Sequence, residues 1–329
     1  MGLKKGLRVR MNILFIDHEC HKKTRSADFF VELLQKKNDV RMVYYKKAYG
    51  CQMSLDDKSW ADVIVIWEFL LSRYALCCID KPCIFVPMYD NEWGSFWQWK
   101  RIAWSGIGIL SFCGKVSAHA RSCGVDNILD VRYFPNPSDF PQMEGDPKRV
   151  FLWERDNLDR TVAERLFPSS DGYVFDIKRK DEFVGKSEFL ERISKCGVVI
   201  APRRKEGIGM AFLEAMAMGK CVVANDDATM NEYIRNGENG ILFSLNAPRP
   251  VLIGDVERVI RNVQDSAVRL HDAWLADRSK IESFISHQSI ASPPSWEKRQ
   301  KIAWTYPLFV AEWVSFMLRK GLSNKWEKD

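Results

Sequence analysis

The chain has 329 residues, 46% of them apolar and 28% charged, with a formal net charge of +6. That length exceeds one ordinary core, so two domains are expected, and the apolar content excludes a disordered chain. Lysine and arginine are spread along the sequence, so no nucleic-acid partner is required, while a weakly basic surface suits an anionic ligand or an anionic membrane face.

No apolar run reaches the roughly 18 residues of a membrane span, because "VIVIWEFLL" and "IAWSGIGILSFCG" are short or interrupted. The opening "MGLKKGLRVR" is basic and lacks an apolar stretch, so it reads as a solvated leader and not an export signal. The cysteines (Cys20, Cys51, Cys77, Cys78, Cys83, Cys113, Cys123, Cys196, Cys221) are odd in number and form no CxxC pair, the pattern of reduced thiols. A cytoplasmic protein is expected, with the inner membrane face open to peripheral association.

In chain order, "MNILFID" (11–17), "DVRMVYY" (39–45), "ADVIVIWE" (61–68) and "PCIFVPMYD" (82–90) read as buried strands, with a helical stretch "SADFFVELLQKK" between the first two. The alternation predicts a parallel α/β sheet. After the first strand, "HECHKKT" gathers His18, Cys20 and His21, which without a distant second pair favours a binding loop over a zinc site. "VPMYDNEW" places Asp90 and Glu92 just past a strand, as an acidic turn or a ligand-facing pair. His119 in "KVSAHARSCG" reads as a structural histidine.

"YFPNPSDFPQMEGDP" (133–147) has the composition of a linker. Domains are expected at 11–137 and 138–298, with a helical tail 299–329, kinked at Pro307, returning towards the first. Beyond the linker, "RVFLWE", "GYVFDI", "CGVVIAP", "GKCVVAND" and "GILFS" predict a second parallel sheet.

In "APRRKEGIGMAFLEAMAMGKCVVAND" the segment from Gly207 to Met218 predicts the crossover helix between two buried strands, with Gly219 as its stop. Its start then faces the carboxyl edge of the sheet, where Gly207, Ile208, Gly209 and Met210 present backbone amides to an anion such as a diphosphate. Glu206 and Glu214 bracket that cradle, about 12 Å apart at ~1.5 Å rise per residue. Glu214 sits among apolar neighbours, where an unpaired carboxylate is costly. On the residues alone, Arg155 and Arg160 in "FLWERDNLDRTV" can be surface partners of Glu154, Asp156 and Asp159. Thr229 is a candidate helix cap after Asp226 and Asp227.

The segment "EGIGMAFLEAMAMGKCVVAND" followed by "NEYIRNGENGILF" resembles the C-terminal signature of family 4 glycosyltransferases, retaining enzymes of the GT-B fold, over residues 150–245. The resemblance implies two Rossmann-like domains facing a cleft, with a C-terminal helix across both. It further implies that Glu206 contacts the hydroxyls of a donor sugar and Glu214 those of a nucleotide ribose. Arg155 and Arg160 match the family's Arg and Lys on the diphosphate, with arginine in place of lysine at Arg160. Asp90 matches a His or Asp that reaches the sugar or acceptor, and Glu232 a later acid with a structural or nucleotide-side role. The loop after the first strand lacks the family's usual glycines. The implied partners are a UDP-, GDP- or dTDP-sugar donor and a glycan or lipid-linked acceptor, with no cofactor and no metal. An epimerase of the same architecture and a catalytically silent nucleotide-sugar-binding subunit are the alternatives.

Overall fold

The computed structural model describes residues 10–46, 53–68, 81–90, 96–155, 158–179, 185–289, 295–308, 310–311 and 314–315. In the first half, β1 (Asn12–His18), β2 (Asp39–Tyr45), β3 (Val63–Glu68), β4 (Cys83–Pro87), β5 (Gly108–Ser111) and β6 (Ile128–Asp130) form one sheet in the order β2-β1-β3-β4-β5-β6, all parallel. Helices α1 (His21–Thr24), α2 (Asp28–Gln35), α3 (Leu55–Trp60), α4 (Phe96–Ser105) and α5 (Gly114–Ser122) accompany it. Successive side chains on a strand point to opposite faces. Accordingly, Ile13, Phe15, Val63, Val65 and Trp67 enter one core, and Leu14, Ile16, Ile64 and Ile66 the other.

The second half repeats the design. β7 (Asp146–Trp153), β8 (Val174–Lys178), β9 (Cys196–Ile200), β10 (Cys221–Asn225) and β11 (Ile241–Phe243) take the order β11-β10-β9-β7-β8, again all parallel. With them come α6 (Arg160–Leu166), α7 (Lys186–Ser194), α8 (Met210–Ala217) and α9 (Met230–Tyr233). Two Rossmann-like α/β units therefore face each other, as expected from the alternating pattern. One apolar cluster is common to both, running from Phe30 and Trp67 to Phe212 and Met216.

The 37-residue helix α10 (Ile253–Ser289) makes the return to the first sheet, ahead of the tail beginning at 299. Its Trp274 lies edge-on to Phe29 and Tyr133, which stack at 3.7 Å. Near its end, Gln288 is buried and donates to the carbonyls of Cys83 and Gly106 (both 3.1 Å) while accepting from Asn127 (2.7 Å). α11 (Trp296–Trp304) then packs on α4 through Ile302, and a turn at Thr305 precedes Tyr306 to Leu308.

Replacing Gln288 by Ala strips partners from two buried carbonyls and from Asn127. A loss of about 2 to 4 kcal/mol in stability is expected, read as a lower urea midpoint with the fold otherwise retained.

Candidate active site

In each sheet the strand order reverses beside its first strand, since β1 lies between β2 and β3, and β7 between β8 and β9. Connections on the two sides of that point leave in opposite directions and open a crevice at the carboxyl ends. The loops after β7 and β9 line it in the second sheet, and those after β1 and β3 in the first.

The loop after β9 carries Glu206, which is buried, then Gly207, the buried Ile208 and Gly209. The helix begins at Met210, three residues later than the apolar pattern suggested. Gly209 has φ 86°, which removes it from a right-handed helix, and a Cβ there would lie 1.9 Å from the Phe212 ring. Glu206 thus stands outside the helix, so a helical rise does not measure its separation from Glu214. No side chain caps α8, and its start faces the crevice with its amides.

Glu214 is buried on α8 among Leu213, Ala215 and Met216. Its partner is Lys186, whose Nζ is 2.7 Å from Oε1. Burial raises the carboxyl above its usual range, and Lys186 opposes the rise.

Arg155 follows β7 and closes a small backbone bridge with Leu158, its guanidinium 4.8 Å from the centre of the Trp153 ring. Arg160 is the first residue of α6 and is turned away onto Glu164 (2.6 Å), so the structure does not bring it to the others. Asp159 caps that helix through the Val162 amide, and Asp156 lies outside the described residues.

From the opposite wall, Asp90 reaches the same loop. A Cβ on Gly207 would sit 2.6 Å from Asp90 Oδ1, so only glycine permits this approach. Arg203 pairs with Asp90 at 2.5 Å. Burial pushes the Asp90 carboxyl up, Arg203 opposes and Glu68 adds to the rise. Glu92 lies outside the described residues.

Further bonds cross the cleft. Tyr89 donates to Asp227 (2.8 Å), and Lys115, on the same side as Tyr89, donates to its hydroxyl (2.7 Å) and lies 3.6 Å from Asp227. Glu232 accepts the Gly114 amide on both oxygens (2.9 and 3.0 Å) and pairs with Arg132, which gives this acid a structural, interdomain role. Thr229 does not cap α9: it has φ 70° and its hydroxyl makes no bond to the helix start. His119 packs edge-on to Trp99.

Sequence reasoning missed Lys186, Arg203 and the completion of the β1 loop. There His21 bonds Asp17 through Nδ1 (2.6 Å) and Glu68 through Nε2 (3.1 Å). Glu68 ends β3 with φ 68°, a region that non-glycine residues seldom adopt. The Asp17 and His21 spacing of four residues was a visible signal, whereas Glu68 meets them only because β3 pairs with β1.

The architecture is GT-B. Among solved structures, HepE of Anabaena, crystallised with UDP and glucose, aligns over 84% of this chain and 100% of its own with a TM-score of 0.55 and 13% identity. A glycosyltransferase from Rickettsia africae aligns over 86% of this chain and 100% of its own with a TM-score of 0.59 and 10% identity. Residues 172–265 match the family model described as glycosyl transferases group 1, so the second domain carries a glycosyltransferase segment. Over 91 residues, 27% of this chain, it is 31% identical to an uncharacterized glycosyltransferase of Methanocaldococcus jannaschii, and over 59 residues, 18% of this chain, 39% identical to the protein of Bacillus subtilis named "Putative glycosyltransferase EpsD". The matched parts span 25% and 16% of those two proteins.

The His21 cluster makes a pH-dependent contribution to stability. Desolvation lowers the imidazole, but its bonds to Asp17 and Glu68 outweigh this and raise it from 6.5 to about 9. A raised histidine stabilises fully below its unfolded value and loses that contribution as pH climbs through the folded one. Against His21→Gln, the wild type is expected to be more stable by on the order of 3 kcal/mol near pH 6, with the gap narrowing towards about pH 9.5 in thermal melts.

Proposed function

We propose that the protein is a retaining glycosyltransferase that moves a sugar from a UDP-, GDP- or dTDP-sugar to a hydroxyl of a glycan or lipid-linked acceptor, without a metal ion, in surface-polysaccharide assembly. The observation that carries this reading is the burial of Glu206 and Glu214 on either side of an uncapped helix start, at the crevice of a GT-B fold. In this reading Glu214 accepts from the ribose hydroxyls and Glu206 from those of the sugar. Arg155 and the amides of Gly207, Ile208, Gly209 and Met210 hold the diphosphate. Asp90 positions the sugar or the acceptor. Arg160 joins only by leaving Glu164, an exposed pair that costs little to break.

The chemical demand is charge on the departing diphosphate, which grows as the glycosidic bond breaks. Fixed amides and a guanidinium aimed at that charge stabilise it without reorganising. The UDP bound to the Anabaena neighbour supports a nucleotide donor. Peripheral contact with an anionic bilayer is supported by Trp296 and Trp304, 75% and 81% exposed beside Lys298 and Lys301. No helix among the described residues is long and apolar enough to cross a membrane.

A panel of nucleotide-sugars with and without acceptor glycans tests the reading. Sugar transfer to an acceptor supports it, whereas isomerised donor or binding alone sinks it. Glu214→Ala is expected to weaken nucleoside diphosphate binding by about 1 to 3 kcal/mol in calorimetry, with the fold intact. Transfer is also expected to survive excess chelator and to keep the donor's anomeric configuration, as read from anomeric proton couplings. Activity lost to chelator and restored by manganese, or an inverted product, overturns the mechanism.

A further inference from the structure

Among the described residues, the ion-pair partner of Glu214 comes from outside its helix. The Glu214 side chain is 7% exposed, whereas that of Lys186, at the first position of α7, is 63% exposed. α7 follows β8 and α8 follows β9, so both helices start at the same carboxyl edge. The lysine reaches in from the solvent side, its ammonium 6.0 Å from the centre of the Phe140 ring. The 2.7 Å contact of the ion pair is made to Oε1. A carboxylate offers about four lone-pair positions on its two oxygens, so a lysine and a vicinal diol can be accommodated together.

We propose that Lys186 is a positioning residue of the nucleotide site: it holds Glu214 ionised and oriented through one oxygen, and leaves the other to accept from the ribose hydroxyls of a nucleoside diphosphate. This rests on the nucleotide-sugar reading above. Lys186 acts through Glu214 and has no need to touch the nucleotide. A protonated Glu214 commits one oxygen as a donor and loses acceptor capacity, while a diol needs an acceptor. Burial favours the proton and Lys186 disfavours it. Among the described residues, Tyr133 is also in electrostatic reach of Glu214, and its hydroxyl is held neutral by burial and then by the carboxylate itself. Without Lys186, the pH at which Glu214 takes up a proton moves upward, and nucleotide binding follows it.

The test is calorimetry on the full chain with UDP, GDP and dTDP from about pH 5.5 to 8.5, approaching from the alkaline side the protonation that burial favours. The diphosphate that the wild type binds is then titrated into Lys186→Met, Lys186→Arg and Glu214→Gln, with thermal melts to establish folding. Lys186→Arg is expected to keep the wild-type pH profile. Lys186→Met is expected to approach wild-type affinity at the alkaline end. At the acid end it is expected to bind more weakly than the wild type, by a factor that grows as the pH falls, because Glu214 without its cation takes up a proton at higher pH. Glu214→Gln is expected to bind weakly and without that pH dependence, and adding Lys186→Met to it should change nothing further. If Lys186→Met follows the wild type at every pH, or loses the same factor at every pH, the positioning role is wrong and the nucleotide site stands. If no diphosphate binds the wild type, or Glu214→Gln binds as the wild type does, the nucleotide-site reading fails and this inference fails with it.

Discussion

Every strand pair described in the two sheets is parallel, and this constraint decides where chemistry can occur. Parallel strands need crossovers, the crossovers cover both faces, and the faces must then be filled with apolar side chains. Polar groups are left with the carboxyl edges. Asp17 and Glu68 stand at the ends of β1 and β3 and Asp90 follows β4, while Arg155, Glu206 and Asp227 follow β7, β9 and β10. The two edges meet through polar contacts at the rim, above an apolar cluster that both domains share. Partly exposed ion pairs contribute little each, so a ligand can replace them at small cost while the apolar contact beneath is untouched.

Much of this arrangement was legible because fully buried strands announce themselves as short apolar runs before a polar turn. β2 was read at both of its ends, and β3 and β4 within two or three residues. β5 was hidden because Gly108 to Ser111 continues an apolar stretch that starts in α4, and β6, at three residues, has too little sequence to alternate. The start of α8 was misplaced for a different reason. Residues 207–218 have helical composition, but composition does not report a positive φ, and the Phe212 ring occupies the space a side chain at Gly209 would need.

The paired glutamates were legible as a motif, but their surroundings were not. Lys186 lies 28 residues before Glu214, and Arg203 is 113 residues from Asp90. No local periodicity connects such positions. They meet because β8 and β9 flank β7, and because the two domains face each other. The Asp17 and His21 pair shows the contrast, since its members lie four residues apart across the end of β1 and can be seen in the sequence, while the Glu68 that completes the cluster is supplied by a neighbouring strand.

A common rule links these pairs. Glu214 with Lys186, Asp90 with Arg203, Glu232 with Arg132 and Asp17 with His21 each set an acid against a cation, the acids being buried (Glu214, Asp17) or half-buried (Asp90, Glu232), and in each the acid is the less exposed member. Burying a lone carboxylate is costly, so each needs its cation, but the cation keeps part of its hydration. That asymmetry suits a binding edge. The buried acids have fixed positions and can read hydroxyl groups by geometry, whereas the better-solvated cations can shift between acid and ligand without leaving a charge stranded in the interior. Where a single ammonium pairs with a carboxylate, as Lys186 does at Oε1, the acid keeps lone pairs to accept from a ligand with no exchange of partners.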